Sequence, residues 1–267
     1  MMILVIGANT LREHLRDKIL YNLLLFALLL IGSSVLLIRL NHGDSERLIV
    51  DLGLSCVNLF GVVIAVFIGI GLVWKEVERK SIYSLLAKPI RRSEFVLGKY
   101  CGLALTLLVN VSVMTLAFYL VLAYMGWREL PAVRAGWPAP ATDPAMLEAV
   151  VLIFVELLLV TGIALFFSTF SSPFLSASLT LGLWVIGHFN SDLRQFETVV
   201  NSPVAAWLAR GLYYALPNFA AFDVKSQVVY GQPVAAQYIV LTVLYGATYL
   251  AFVLAAAVTI FSRRDFK

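Results

Sequence analysis

Charge is scarce in this chain. Only 13% of its residues are Asp, Glu, Lys or Arg, against 61% hydrophobic, whereas soluble domains carry about 25% charged residues. With a mean hydropathy of +0.89, that deficit excludes a water-soluble globular protein and marks an integral membrane protein. Histidine and cysteine are scarcer still. His14, His42 and His188 are scattered, with no H-E-x-x-H or paired spacing, so the sequence offers no metal site of its own. Cys56 and Cys101 fall near the outer part of one expected span and the inner end of the next, too far apart to bridge; neither a disulfide framework nor thiol chemistry is implied. The nucleotide-binding pattern G-x-x-x-x-G-K-[ST] is also missing. Gly98-Lys99 is followed by Tyr100 and has Ser93 where the first glycine is required, so the chain does not bind ATP by that route. No G-x-S-x-G nucleophile motif is present either. The chain is therefore expected to carry out no covalent chemistry, to hold no cofactor and not to be an enzyme.

What the sequence has in abundance is long apolar runs. Six are long enough to cross a hydrocarbon core that needs roughly 20 apolar residues, near 19–38, 52–73, 101–125, 148–170, 173–189 and 237–261. The expected fold is an all-α membrane protein, a single permease-like unit over 1–267 with six transmembrane helices. A net charge of +4 with a pI near 9.1 would suggest nucleic acid in a soluble protein. Here the cations collect in short loops, which is the signature of membrane topology, and no nucleic-acid partner is expected.

The segment 74–100, WKEVERKSIYSLLAKPIRRSEFVLGKY, orients the chain. Between two apolar runs it holds Lys75, Arg79, Lys80, Lys88, Arg91, Arg92 and Lys99, seven of the twenty Lys and Arg residues, and such a loop resists translocation. Placing it inside also puts Arg12, Arg16, Lys18, Arg263, Arg264 and Lys267 inside, while Arg39, Arg47, Arg128, Arg134, Arg194, Arg210 and Lys225 are spread over longer outer segments. Both termini are expected to be cytoplasmic, in a bacterial inner membrane. The cations at 12–18 precede a full-length span and no small-residue cleavage site follows it, so the amino-terminal region does not read as a cleavable signal. Leu4, Ala8, Leu11, Leu15 and Ile19 share one face of a helix over 4–19, with Asn9, Arg12, Glu13, Arg16 and Asp17 directed elsewhere. That pattern fits an interfacial helix over 1–18, or a plain cytosolic extension of the first span.

Local signals mark other elements. Ser172-Pro173 can cap and start the fifth span, and with Ser171 makes a tight turn that pairs the fourth and fifth spans as a hairpin. Asp143-Pro144 and Ser202-Pro203 carry the same start signal. Residues 126–142, with three prolines and two glycines, read as an irregular outer loop. The region 190–236 is long yet hydrophobic, and its expected helix near 203–215 fits a short outer-side segment in or dipping into the interface, or a cap over a central pathway. Glu156 lies near the middle of the fourth span, where an ionised carboxylate is costly. It is a candidate pathway residue for cargo or protons, against a protonated or hydrogen-bonded structural role. Gly61, Ala65 and Gly69 form a small-residue stripe on the second span that permits close helix approach, within one subunit or between two.

The charged segment also carries a family resemblance. Glu76-x-Glu78-Arg79, Leu85-Leu86, Pro89-Ile90, Arg92 and Gly98-Lys99, lying between the second and third expected spans, resemble the signature of type-2 ABC exporter permeases, and the six-span layout is similar throughout. LPNFAAFDV at 216–224 resembles the permeases grouped with multicopper enzyme maturation. The resemblance implies a cytosolic coupling helix that docks in a groove of a separate ABC ATPase subunit. Ile82, Leu85 and Leu86 would supply the buried contact, and Glu76, Glu78, Arg79, Arg91 and Arg92 the charge pairs beside Pro89. It further implies a homodimer, or a heterodimer with a related permease, ATP and Mg²⁺ bound in the partner ATPase, surrounding membrane lipid and, in some systems, an outer-side accessory protein. Two other readings stay open: a mechanotransmitter that passes ATPase motion to an outer-side partner without moving cargo, and a secondary transporter or membrane enzyme that needs no ATPase. Neither the cargo nor the direction of transport is written in the spans.

Overall fold

The computed structural model describes residues 2–37, 45–78, 92–128, 140, 142–189, 211 and 216–263, with the backbone alone at 37, 45–46 and 72–78. Among the described residues the chain is helical: α1 (Met2–His14), α2 (Lys18–Leu37), α3 (Ser45–Glu78), α4 (Arg92–Arg128), α5 (Ala145–Ser168), α6 (Pro173–His188), a 3-10 turn (Phe219–Phe222), α7 (Lys225–Val229) and α8 (Ala236–Arg263). Five of them, α2, α3, α4, α5 and α8, are long and apolar enough to cross a membrane. The expected fifth span, 173–189, is instead a 16-residue apolar helix, about 24 Å long against a hydrocarbon core of about 30 Å.

Two helices overrun the apolar segments that defined them. α3 has 34 residues and α4 has 37, lengths of about 51 and 55 Å. The Lys, Glu and Arg residues flanking their apolar stretches are good helix formers, so the backbone stays helical past the point where hydropathy falls. The amino-terminal region differs from expectation in the other direction. The anticipated continuous helix over 4–19 breaks after His14, where Arg16 N–H bonds to the Glu13 carbonyl and Asp17 N–H to that of His14. Asp17 Oδ1 then accepts from Ile19 N–H at 3.0 Å, capping the start of α2. Leu15 and Ile19 therefore leave the α1 face to which they were assigned. Leu4 and Ala8 point outward, and Gly7, Thr10 and His14 form the buried face of α1.

α3 and α5 form the core. Their apolar segments are each 67% buried, compared with 22% for α2 and 17% for α8, which present most of their surface outward. The small-residue stripe explains the close approach of α3 to α5. A Cβ added at Gly61 would lie 2.5 Å from a Leu157 methyl, and one at Gly69 would lie 2.6 Å from Ala164 Cβ and 3.2 Å from the Thr161 carbonyl. The stripe thus serves packing within one chain. Cys56 and Cys101 are both free.

At one end of the bundle two elements, α1 and α8, converge on the start of α4. α1 packs backbone to backbone across Gly7, Gly98 and Gly102, where a Cβ at Gly102 would meet Thr10 Cβ at 2.5 Å and the Gly7 carbonyl at 2.7 Å. From the other side, the Phe95 and Phe261 rings stack at 5.9 Å, and Arg92 Nη1 donates to the Ser262 carbonyl at 2.9 Å. The first and last described helices therefore have their chain-terminal ends at the same end of the bundle. α5 and α6 are joined by the tight turn expected at Ser171-Ser172. Pro173 is the first residue of α6, but Ser172 makes no side-chain cap bond; Ser171 Oγ instead pairs with Ser176 Oγ at 2.7 Å. Asp143 Oδ1 accepts from Ala145 N–H at 2.9 Å, which fulfils the start signal expected there. Ser202-Pro203 and most of the expected helix at 203–215 lie outside the described residues, as does 129–139 of the outer loop.

Candidate intramembrane site

α5 carries no charged residue between Glu148 and its end other than Glu156. Apolar on every side, it is buried as a central helix would be, and Glu156 is completely enclosed. The α5–α6 hairpin decides what Glu156 meets. Similar lengths of chain on either side of the Ser171-Ser172 turn bring Trp184 and His188, one helical turn apart on α6, level with it. Trp184 Nε1 donates to Glu156 Oε1 at 2.7 Å, and His188 Nε2 lies 3.6 Å from the same oxygen. From α3, Asn58 Nδ2 donates to Glu156 Oε2 at 3.3 Å. Asn58 is itself only 4% exposed, and its Oδ1 is buried with no hydrogen-bond partner among the described residues.

The segment before α8 closes around this cluster. LPNFAAFDV turns its two phenylalanines inward, and both are fully buried. Phe219 fits against Gly187, where a Cβ would collide with its ring, and stacks on His188 at 5.9 Å with planes 17° apart. Phe222 packs over Gly246, where a Cβ would lie 3.1 Å from the ring. α8 ties the segment down: the Tyr238 hydroxyl donates to the Ala221 carbonyl at 2.7 Å, and Asn218 N–H donates to the Tyr245 hydroxyl at 2.9 Å. Asp223 accepts from Lys225 N–H at 3.1 Å and pairs with Lys225 Nζ at 3.5 Å. This part of the expected outer-side segment is therefore built into the bundle.

Glu156, singled out in the sequence, is surrounded by polar partners in the interior of the bundle. Asn58 and Trp184 were not anticipated, and His188 was set aside because it lacks a metal-ligand spacing. The available signal was Trp184 and His188 at i and i+4, on the helix paired with that of Glu156. Arg79, Ile82, Leu85, Leu86, Pro89 and Arg91 lie outside the described residues; Glu76 and Glu78 are described only as backbone at the end of α3. Arg92 is half-buried and bonded to the end of α8, well away from Glu156 along α4.

Comparison with known proteins is concordant with this architecture. A family model described as ABC-2 family transporter protein matches residues 6–266, nearly the whole chain. No curated protein matches it.

Proposed function

The chain belongs to the ABC-2 family of transporter proteins, and from that premise we propose that it forms the translocation pathway of an ATP-driven exporter as a dimer, driven by a separate ATPase docked at 76–92. Membership makes it a permease component that partners an ABC ATPase subunit. The proposal adds the docking residues, the dimer, the outward direction and the orientation. ATP and Mg²⁺ are bound by the partner.

The observation that carries this reading is the continuity of α3. One unbroken helix runs from Glu78, at the edge of the charged segment, to Asn58 in the polar cluster, a distance of about 30 Å. A helix of that length moves as a rod. A push on residues 76–92 is thereby delivered to the Asn58–Glu156 contact, while α4, which starts on the far side of the same segment, delivers it to α1 and α8. Such rigid-body rocking of helices is a standard route to alternating exposure of a site. Six passes are supported by the shared end of the bundle at which α1 begins and α8 finishes, since an odd number of crossings would separate them. α6, short as it is, then serves as the fifth pass. The abundance of Lys and Arg at that end supports a cytoplasmic location for it and for both termini.

The test is gentle solubilisation of the tagged chain from its native membrane and identification of stoichiometric partners, comparing it with a Glu78→Ala, Leu85→Asp double variant. An ATPase subunit recovered with the first and lost with the second bears out docking at 76–92. If no ATPase accompanies either, even after crosslinking, an ATPase-independent transporter or membrane enzyme becomes the better reading.

A further inference from the structure

We infer that Asn58, Glu156, Trp184 and His188 form a proton-binding site, which holds a single proton between the Glu156 carboxyl and the His188 imidazole. Size limits the ligand first. Glu156 is fully enclosed, and its two oxygens lie between 2.7 and 3.6 Å from three side chains, so nothing larger than a proton fits among them.

Charge fixes the number. Among the described residues, the ionisable group in contact with Glu156 is His188 on α6, while α3 contributes the neutral Asn58 and the nearby Asp223 and Lys225, at the start of α7, are themselves an ion pair. The charges of that pair cancel. An ionised Glu156 beside a neutral His188 would leave one uncompensated negative charge inside the apolar bundle, which is strongly unfavourable. One added proton removes that charge, whichever of the two groups carries it.

Hydrogen bonding supplies a place for the proton on each group. The Trp184 indole is a donor only and satisfies Oε1. His188 Nδ1 lies 3.1 Å from the Trp184 carbonyl; a proton on Nδ1 donates there and leaves the Nε2 lone pair directed at Glu156. On the other side, a half-turn of the Asn58 amide brings its unpartnered Oδ1 to Glu156 Oε2, where a carboxyl O–H donates to it. The proton thus resides on Oε2, bonded to Asn58, or on Nε2 as an ion pair with Oε1. The His188 side chain is 23% exposed, which provides exchange with the exterior that Glu156 lacks.

This inference does not depend on an ATPase and is testable on the full chain alone in lipid nanodiscs. Infrared spectroscopy reads the protonated-carboxyl C=O stretch, and nitrogen NMR reads the charge of the His188 ring, both at neutral pH. The expected result is a deuterium-sensitive carboxyl band that disappears in Glu156→Gln, or a His188 imidazolium signal that collapses to neutral imidazole in the same variant. His188→Gln removes one location, so the band must then appear at the full intensity of one carboxyl group. A wild type showing neither signal, or a His188→Gln variant without the band, overturns the inference. The second variant decides the matter even if Glu156→Gln does not fold.

Discussion

The Trp184 indole N–H and the Glu156 carboxyl meet at 2.7 Å between antiparallel helices joined by a two-serine turn, and Glu156 has no exposure at all. Interhelical hydrogen bonds in membranes average only about 0.6 kcal/mol, because the separated helices find other partners. Here the acceptor is sealed in, and its loss approaches the cost of a buried unsatisfied group. Trp184→Phe, which keeps most of the ring, is expected to lower stability by about 1–3 kcal/mol. Unfolding midpoints in mild detergent, compared with an exposed control such as Trp127→Phe on α4, check this.

Glycines in this bundle divide sharply by what surrounds them. Gly102 faces Thr10 Cβ and the Gly7 backbone within 2.7 Å, while Gly32 has nothing within 4 Å. Gly102→Ala is expected to push α1 off α4 and destabilise by about 1–3 kcal/mol. Gly32→Ala is expected to be neutral or stabilising by up to about 1 kcal/mol, through its better helix propensity. Cysteine crosslinking between α1 and α4 should fall in the first variant and stay unchanged in the second.

The same distinction governs the α3–α5 seam. At Gly61 a new methyl meets the Leu157 side chain, its two methyls first, whereas at Gly69 it meets Ala164 Cβ and a backbone carbonyl, which cannot rotate away. Gly69→Ala should therefore cost more than Gly61→Ala, with the former in the range of about 1–3 kcal/mol. Equal losses at the two sites would mean that Leu157 is held too tightly to move. Thermal unfolding of both variants side by side distinguishes these outcomes.

The helices were legible because hydropathy and start signals are local. Pro173 opens α6 and Asp143 caps the start of α5 as their positions announce. The break at Leu15 was legible in principle, through Asp17 at the cap position, but the apolar stripe that runs past it masked the signal. The ends of α3 and α4 were not legible, since hydropathy reports where lipid stops and not where a helix stops. Within the cluster, Glu156 stood out as a lone carboxylate in an apolar run. Asn58 gave no such signal: a neutral amide in a span is unremarkable until the fold places a carboxylate opposite it. The inward turn of Phe219 and Phe222 depends on the notches at Gly187 and Gly246, which come from two other helices.

Arg92 offers a contact outside the core that separates charge from geometry. Its Nη1 donates to the Ser262 carbonyl at 2.9 Å and lies 3.4 Å from that of Phe261, which places its positive charge at carbonyls in the last described turn of α8. A cation at a helix C-terminus contributes about 0.3–1 kcal/mol, so Arg92→Ala should fray the last turn of α8 without unfolding the bundle, because the Phe95–Phe261 stack remains. Arg92→Lys should restore part of the effect, since an ammonium is a point charge without the planar fork of donors. Hydrogen exchange at the amides of Ile260 to Arg263 is the measurement: faster exchange in Arg92→Ala, an intermediate rate in Arg92→Lys and no change at Phe118 in the middle of α4. Faster exchange at Phe118 as well would mean that Arg92 holds α4 itself in place, not only the end of α8.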